Sequence, residues 1–474
     1  MTIEHFRAGD FEPSRHFYPR VLNAQLHPLV RNFLNLGNTR ILQRYTHLHP
    51  EADPQAVEQL LTTKPRYFRW GGADLFLSTN EEGLRQIVVI ETNSSPSGQK
   101  SMPILDEADE LGGYRRLIGR SFLPMVEARR RLPSGALAVL YDKNEMEASG
   151  YAATIAELSG EEVMMVPCHR GKPLHRIEDG VIEVDTGNGW KPIRACLRYV
   201  TQQPWERLPP VSRTAIYNPI VACLAGGRNK AVAAKSYDLF NAMNTDTGLA
   251  IRMPETIWDV ARTEVPMWVQ SMGGVAVVKN PYSNAGQGVY TITNDEELAS
   301  FMDSEQSYDR FIVQALIGNF RWSSRTRTGR LYHVGTIPDK RGRLFAADIR
   351  FMVGAGPEGF FPVAIYARRA REALEAELSE GSSSWDMLGT NLSVKQSDGS
   401  WTTQTERLFL VDSRDFNKLG IGVDDLIEGY LQTVMAVSSI DAMAKRLITQ
   451  KSVFRRRFYK QLNPDPRFVD EIMQ

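Results

Sequence analysis

The sequence predicts a mixed α/β protein built from several packed subdomains, and three observations support this prediction. The chain has 474 residues, more than one hydrophobic core usually accommodates, so we expect about two to four subdomains. Its 42% hydrophobic and 24% charged residues are typical of a soluble globular protein. Segments with strand-like and helix-like apolar spacing alternate along most of the chain.

Residues 1–66 are predicted to be mostly helical, because apolar residues recur at helical spacing in "HPLVRNFLNLGNTRILQRY". Two strand-like runs follow, "YFRWGGADLFLST" and "RQIVVIETN", and the turn "NEEG" lies between them. This pattern predicts an antiparallel hairpin. On that hairpin Asp74 would lie on the strand next to the one that carries Glu91 and Asn93.

A small α/β unit is predicted next. "GALAVLYD", "GYAATIAELSG" and "EEVMMVP" read as strand, helix and strand, and a βαβ unit implies a parallel sheet. "GVIEVDTGNGWKPI" reads as a hairpin, and "RACLRYV" as another buried strand.

The second half of the chain is predicted to begin with a helix, a strand, a glycine loop and a second strand. Several strands then alternate with polar turns over residues 319–415, and helices close the chain. We therefore expect four segments: N-terminal helices with two strands, a small α/β domain, a subdomain with a glycine-rich lid, and a sheet with C-terminal helices. Their predicted bounds are 1–124, 125–225, 226–318 and 319–474.

Charge and composition argue against several functions. Lys+Arg and Asp+Glu are both 56, so no basic field favours nucleic acid as a partner. The apolar runs are far shorter than the roughly 20 residues that cross a bilayer. The charged N-terminus lacks the apolar stretch of a signal peptide, and three cysteines without metal-ligand spacing suit a reducing cytoplasm. A cytoplasmic protein is the expectation, and a homodimer is left open.

The stretch "VVKNPYSNAGQGVYTI" has the composition of a phosphate-binding loop. Lys279 ends a strand, and small or polar residues follow it, namely Ser283, Asn284, Gly286, Gln287 and Gly288. Small residues let backbone N–H groups approach an anion, and lysine supplies a mobile positive charge. A plain hairpin with a flexible tip explains the same residues equally well, and the P-loop order GxxxxGK[ST] is absent.

Two strand-like stretches follow. "FIVQALIGNF" suits the edge at which backbone groups read adenine between apolar walls, which would involve Gln314, Ala315, Leu316 and Ile317; an ordinary core strand is the alternative. "FAADIRFMVG" places Asp348 and Arg350 on one face of a strand, so that the aspartate could orient the arginine toward a transferring phosphoryl group. A surface ion pair is the alternative there.

The order of these stretches resembles that of the ATP-grasp enzymes. A helix with a lysine, a strand with a lysine, a glycine loop, a hinge strand, "DIR" and then "NLS" with Asn391 follow one another. The Glu-x-Asn strand, which holds magnesium at the end of that family's order, is missing there. It is found instead as "VVIETN" near the N-terminus, so the chain resembles a circularly permuted ATP-grasp protein.

Within that superfamily the chain is similar to eukaryotic-type glutathione synthetases over roughly residues 70–395. The resemblance implies two α+β subdomains that clasp ATP, with the small α/β segment as a substrate domain. It also implies ATP and Mg²⁺ as cofactors, with Asp74, Glu91 and Asn93 on the metal. It assigns the first ATP lysine to Lys230, in "YNPIVACLAGGRNK", with Lys235 as the fallback. Arg350, Lys279 and Asn391 are the implied catalytic residues. The implied substrate-binding residues are Ser94, Ser95, Ser97, Arg198 and Asn218.

Two of these substrate assignments have structural alternatives. Ser94 to Ser97 follow the metal strand, and simple turn chemistry explains them as well. Arg198 suits a substrate carboxylate or a salt bridge between domains. The implied function is an ATP-dependent carboxylate–amine ligase that acts on small molecules through an acyl phosphate. A phosphotransferase acting on a hydroxyl and a non-catalytic nucleotide-binding protein are the rivals.

Overall fold

The computed structural model describes residues 2–106, 109–169, 171, 173–200, 207–282, 288–378, 382–395 and 401–473. Its strands are β1 (Glu4–Phe6), β2 (Trp70–Asn80), β3 (Arg85–Ser94), β4 (Ala136–Tyr141), β5 (Val163–Pro167), β6 (His175–Glu178), β7 (Val181–Asp185), β8 (Trp190–Tyr199), β9 (Ala215–Tyr217), β10 (Thr256–Ala261), β11 (Ala276–Lys279), β12 (Val289–Ile292), β13 (Arg310–Gln314), β14 (Leu331–His333), β15 (Thr336–Pro338), β16 (Leu344–Gly356), β17 (Gly359–Arg369), β18 (Ser393–Lys395), β19 (Trp401–Thr403) and β20 (Leu408–Phe409).

Helices occupy both ends of the chain and the connections between strands. They are α1 (Pro13–His16), α2 (Pro19–Leu22), α3 (Pro28–Asn35), α4 (Gly37–Leu48), α5 (Pro54–Thr62), α6 (Gly112–Leu117), α7 (Leu123–Glu127), α8 (Glu145–Ser159), α9 (Ile220–Ala222), α10 (Lys230–Met243), α11 (Val265–Ser271), α12 (Asp295–Asp303), α13 (Ser384–Leu388), α14 (Val423–Leu447), α15 (Arg456–Leu462) and α16 (Pro466–Met473). In the part of the chain that is described, no helix is both long and apolar enough to cross a membrane.

A seven-stranded sheet joins strands from the N-terminal and the C-terminal parts of the chain. Its order is β14-β2-β16-β17-β20, with β3 paired to β2 and β15 paired to β16. The predicted hairpin is confirmed, because β2 and β3 are antiparallel with Asp74 opposite Glu91. Strand β2 also pairs with β16, so β3 and β16 lie in one sheet. A permuted order requires the strands at 87–91 and 345–351 to share a sheet, and this is the arrangement observed.

Helix α14 covers one face of this sheet. A Cβ atom on Gly71 of β2 would lie 2.6 Å from Val437 Cγ2, so only glycine permits the observed distance between helix and strand. The Asp441 carboxylate, also on α14, accepts backbone N–H groups of residues 66–68, at the entry to β2. The helix thereby holds the hairpin in place from its C-terminal half.

A second sheet contains the predicted parallel unit. Its order is β1-β5-β4-β8-β7-β6, with β9 beside β8. Strands β4 and β5 are parallel and joined by α8, which confirms the βαβ prediction. One expectation was wrong: the end of the predicted hairpin and "RACLRYV" form a single strand, β8. Its first half pairs antiparallel with β7, and its second half pairs parallel with β4.

The third sheet is antiparallel, with the order β10-β13-β11-β12. Apolar side chains of its strands pack with those of α11 and α12 into a core of their own. The strand that ends in Lys279 therefore lies between β12 and the strand at 310–314. The division of the chain into the four predicted segments stays a prediction.

Candidate active site

A narrow cleft separates the third sheet from β3 and α10. Residues Ile90 to Thr92 form part of one wall, helix α10 contributes Lys230 and Tyr237, and the third sheet contributes Thr256, Lys279, Ile312 and Gln314. The open interior is about 30 Å³, room for about two water molecules. The two walls must therefore separate before a nucleotide can enter.

Lys230 is the first residue of α10, and a local cap fixes its position. The Asn229 side chain accepts the Val232 N–H at 3.1 Å, which begins the helix at this point. The Lys230 backbone N–H donates to the Pro281 carbonyl at 2.8 Å. Its ammonium lies 3.5 Å from Glu91 Oε1. The fallback Lys235 lies elsewhere, because its Nζ donates to the Leu462 carbonyl at 2.7 Å.

Lys279 ends β11 and is only 6% exposed. Its Nζ donates to Gln314 Oε1 at 2.6 Å and to the Ile90 carbonyl at 3.4 Å. Burial lowers the pKa of Lys279 to about 8; the Glu91 charge opposes that change, and Lys230 adds to it. The cleft thus holds two lysines against one carboxylate, which suits a polyanionic ligand such as a triphosphate.

Only part of the predicted nucleotide-binding set lines this cleft. Of the four residues predicted at the adenine edge, Gln314 does so. Ala315 donates its N–H to the Glu255 carbonyl, and both backbone groups of Leu316 bond to Ser324. Leu316 packs into a different core, with residues of β16 and α13. Neither Ala315, Leu316 nor Ile317 is brought into the cleft.

The glycine loop is described at one of its five predicted residues. Gly288 has φ +64°, and a Cβ atom there would lie 2.3 Å from the Asn280 side chain, so glycine is needed at this position. Its carbonyl accepts the Asn280 N–H at 2.7 Å. Ser283, Asn284, Gly286 and Gln287 lie outside the described residues.

Asp74 was predicted to bind a metal, but arginines occupy its carboxylate. Arg350 reaches both oxygens, at 2.6 and 2.7 Å, and Arg368 lies 3.0 Å from Oδ2. Burial alone would raise the pKa of Asp74, but the two guanidinium groups hold it well below its ordinary value. Asp74 therefore acts as the counter-ion that positions Arg350, and both of its oxygens are engaged before any cation approaches.

The expectation that Asp348 orients Arg350 was also wrong. Asp348 bonds bidentately to Arg368, which stands directly opposite it on β17. Arg350 stands opposite Asp74 on β2. Cross-strand partners are closer than residues two positions apart on one strand, so the register selects both pairs. Nη1 of Arg350 points to the Tyr366 hydroxyl at 3.4 Å.

Glu91 and Asn93 remain as candidate Mg²⁺ ligands. The Glu91 side chain is 26% exposed and faces the cleft. The Asn93 Oδ1 accepts from Arg228 at 3.2 Å, and its Nδ2 lies 3.5 Å from Asp74. Mg²⁺ is commonly held by one or two carboxylates together with phosphates and water, so one carboxylate and one amide oxygen fit that chemistry. Among the described residues no group of three acidic, histidine or cysteine ligands occurs.

The residues predicted to bind substrate form an internal link between the first two sheets. Arg198 is 0% exposed. Each of its three nitrogens donates within the protein, to the carbonyls of Asn218 and Val200 and to the hydroxyls of Ser94 and Ser95. The Ser95 hydroxyl also donates to the Arg198 carbonyl at 2.9 Å. This geometry favours a structural role for Arg198, but one built from hydrogen bonds to carbonyls and hydroxyls rather than from the expected salt bridge.

Other predicted residues have partners of their own. The Asn218 side chain accepts the N–H groups of Arg69 and Trp70 at the start of β2. The carbonyl of Asn391 accepts from Arg407, and Asn391 does not line the cleft. Asp412 and Asp415, the acidic residues that the sequence offers as metal ligands should Glu91 prove structural, lie outside the cleft as well. Asp412 caps a turn, and Asp415 pairs with Arg20 and Lys418.

Three charged residues of this region are not among the functional residues predicted from the sequence. Arg228 lies two residues before Lys230 in the quoted "AGGRNK", so its position in that motif was a usable signal. Arg368 and Glu147 gave no such signal, because Asp74 and Ser97, with which they pair, come from distant parts of the chain. Glu147 is 0% exposed and accepts from the Ser97 hydroxyl, two backbone N–H groups and the Tyr151 hydroxyl.

Comparison with solved structures finds ATP-grasp proteins, the group that the motifs resemble. A glutathione synthetase-like effector from Globodera pallida is 9% identical, with a TM-score of 0.38, and the match covers 73% of this chain and 86% of that chain. A RimK-domain ATP-grasp protein from Sphaerobacter thermophilus is 15% identical, with a TM-score of 0.33, and the match covers 62% of this chain and 98% of that one.

A third match is D-alanyl-alanine synthetase A from Vibrio cholerae, at 11% identity and a TM-score of 0.28; it covers 50% of this chain and 89% of the other. No protein-family model and no curated protein sequence matches the chain. With TM-scores below 0.5, these likenesses are too weak to carry a role over to any residue.

Proposed function

We propose that the chain is an ATP-grasp enzyme of circularly permuted order, which joins a carboxylate to an amine at the expense of ATP. The observation that carries this proposal is the convergence of Lys230, Lys279 and Glu91 on one cleft between two sheets. The three residues come from different parts of the chain. Lysines are suited to the phosphates of a nucleoside triphosphate, and a carboxylate is suited to its metal. The pairing of β3 and β16 with β2 supports the permuted order.

The charged and polar residues in the cleft and beside it have separate tasks in this proposal. Lys230 and Lys279 bind the phosphates as point charges. Glu91 and Asn93 would hold Mg²⁺, which neutralises phosphate charge and orients the terminal phosphoryl group when bound. Arg350, kept in place by Asp74, stabilises the charge on the transferring group; loss of such a donor typically lowers the rate by about 10²–10³.

The proposed reaction has two steps. The substrate carboxylate attacks the terminal phosphorus of ATP, giving an acyl phosphate and ADP. An amine then attacks the acyl carbon, so that an amide forms and phosphate leaves. The narrow cleft supports this route, because exclusion of water protects an acyl phosphate from hydrolysis.

Hydroxylamine tests the first step without knowledge of the natural amine, because it converts acyl phosphates into stable hydroxamates. The purified chain is incubated with ATP, Mg²⁺, hydroxylamine and pools of amino acids and short peptides. We expect release of ADP and phosphate together with a hydroxamate of one carboxylate, identified by mass. A phosphorylated product without free phosphate would indicate a phosphotransferase, and absence of ADP release with every pool would indicate a binding protein.

Variants connect that activity to the cleft. Lys230→Met should abolish hydroxamate formation and weaken ATP binding. Lys235→Met is the matched control, because Lys235 lies on the same helix but bonds to the Leu462 carbonyl outside the cleft. Equal losses in both variants would show that the effect is on folding rather than on the nucleotide.

A further inference from the structure

A second group of cations lies where the end of β3 meets the carboxyl edge of the parallel sheet. We call it the junction cluster and define it as Lys100, Lys143, Asn144, Tyr199 and Arg228. Lys143 and Asn144 follow β4, and Tyr199 ends β8. Binding sites of open α/β sheets lie outside the carboxyl ends of their parallel strands, which is the position of this cluster.

The two lysines are tied to one asparagine and to aromatic rings. Lys100 is buried, donates to Asn144 Oδ1 at 3.2 Å and lies 5.1 Å from the Tyr18 ring centroid. Asn144 Nδ2 donates to the Tyr199 hydroxyl at 3.3 Å. Lys143 is partly buried, with its ammonium 5.0 Å from the Tyr199 ring centroid. The asparagine and the rings hold both ammonium groups in place.

Neither lysine has an ion pair within the part of the chain that is described. The nearby carboxylates are engaged elsewhere: Asp142 pairs with Arg207 at 2.8 Å, and Glu147 accepts from four neutral donors. Lysines at such depth are rarely left without a counter-ion, and a cation–π contact compensates only part of the lost hydration.

Burial and nearby charges of both signs act on the Lys143 ammonium, and together they disfavour its charged form. Burial lowers the pKa of Lys143 well below its ordinary value, and Arg228 lowers it further. Asp142 and Glu147 oppose that change, and Arg350 adds to it. An anionic ligand beside the ammonium would supply the missing charge.

The junction cluster is continuous with the candidate metal strand. Arg228 donates to Asn93 Oδ1 and to the Ser94 carbonyl, both at 3.2 Å. Ser97, three residues beyond Ser94, is fixed by Glu147, which lies on α8 a few residues after Lys143. Arg228 therefore bonds to the candidate metal strand and also acts electrostatically on Lys143, which links the two regions.

We propose that Lys143, supported by Lys100 and Arg228, binds a second carboxylate of the acid substrate, so that the enzyme acts on dicarboxylates. This inference rests on the proposed ligase function. Such a substrate places one carboxylate at the cleft and the other at the junction cluster. A free dicarboxylic amino acid and a peptide that ends in an acidic residue both carry the two carboxylates.

Matched pairs of probes test the subsite by binding, independently of turnover. Calorimetry of the full chain with ADP and Mg²⁺ uses aspartate against asparagine, glutamate against glutamine, and Gly-Gly-Glu against Gly-Gly-Gln. We expect at least one acid to bind about 10- to 100-fold more tightly than its amide. A difference in the amino-acid pairs would indicate a free amino acid as substrate, and a difference in the tripeptide pair would indicate a peptide.

Variants assign the preference to Lys143. Lys143→Met should reduce the preference for the acid over its amide to within about threefold, whereas Lys143→Arg should keep most of this preference. Lys191→Met, at the other end of β8, is the control and should bind like the wild type. Binding of the acid should also take up protons from the buffer in the wild type and not in Lys143→Met, since an anion raises the pKa of the ammonium beside it. A merely structural lysine would not change that proton uptake.

The outcomes separate this inference from the proposed function. Equal binding of acids and amides, or binding of no probe at millimolar concentration, overturns the subsite. A preference that survives in Lys143→Met overturns it as well, and Lys143→Gln, which also removes the charge, decides the question if Lys143→Met does not fold. A preference for acids without hydroxamate formation leaves the subsite standing and rejects the ligase.

Discussion

Replacing Lys279 with methionine should stabilise the folded protein and at the same time weaken its binding of ATP. Burial lowers the pKa of Lys279 to about 8, from an ordinary value of 10.5. At 1.36 kcal/mol per pKa unit, holding this ammonium charged at pH 7 costs the folded state about 3 kcal/mol. Methionine fills a similar volume without that cost, but it leaves Gln314 Oε1 without its donor, a loss of about 1–2 kcal/mol.

The pH dependence of the stability difference between Lys279→Met and the wild type identifies the buried charge as the cause of that difference. Between about pH 8 and 10.5 the folded protein releases this proton, whereas the unfolded chain keeps it, so the wild type gains stability as pH rises. The cost of the buried charge falls from about 3 kcal/mol at pH 7 to about 1.4 kcal/mol at pH 9.5. We therefore expect the variant to be about 1–2 kcal/mol more stable than the wild type at pH 7 and about equal to it at pH 9.5.

Chemical denaturation at the two pH values measures the stability, and calorimetry measures ATP affinity, which should fall by about 10- to 100-fold. Lys191→Met, an exposed position, is the control for both measurements. If Lys279→Met is less stable at pH 7 and the difference does not change by pH 9.5, the buried-charge reasoning is refuted. Unchanged ATP affinity would remove Lys279 from the nucleotide site.

Three further substitutions separate catalytic from structural charges. Glu91→Gln should abolish Mg²⁺-dependent turnover with little change in melting temperature, because its pairing with a lysine is long and partly exposed; early melting with full activity at low temperature would contradict the metal role. Asp74→Asn should lower the free energy of unfolding by about 3–5 kcal/mol, since Arg350 and Arg368 lose a buried counter-ion. A denaturation midpoint equal to that of the wild type would contradict the counter-ion role of Asp74. Arg198→Met should destabilise the protein without raising KM for the acid substrate, and a raised KM in a fully stable variant would return Arg198 to the substrate site.

The local elements follow from the chain alone. The hairpin of β2 and β3 was predictable because apolar residues flank a short polar turn, and the βαβ unit because strand and helix spacing alternate within about 30 residues. The placement of Lys279 at a strand exit belongs to the same class of inference. Each depends on residues that are close in sequence, where the periodicity of side chains is sufficient.

The order of the motifs also predicted a contact between distant parts of the chain. It indicated that the strand bearing Glu91 shares a sheet with the strand bearing Arg350, and the observed pairing of both with β2 agrees. Sequence order alone could not give the register of that pairing. A strand fits its neighbour in many registers, and only burial of the whole sheet against α14 selects one.

Register in turn determined what each charged residue does. It placed Asp74 opposite Arg350 and Asp348 opposite Arg368, so that a predicted metal ligand became a counter-ion. Arg198 is likewise buried where two sheets meet, and among the described residues its guanidinium bonds to carbonyls and hydroxyls. The types of charged residue at the cleft are readable in the sequence, but whether a charge faces a ligand or an internal partner depends on contacts between segments that are far apart in the chain.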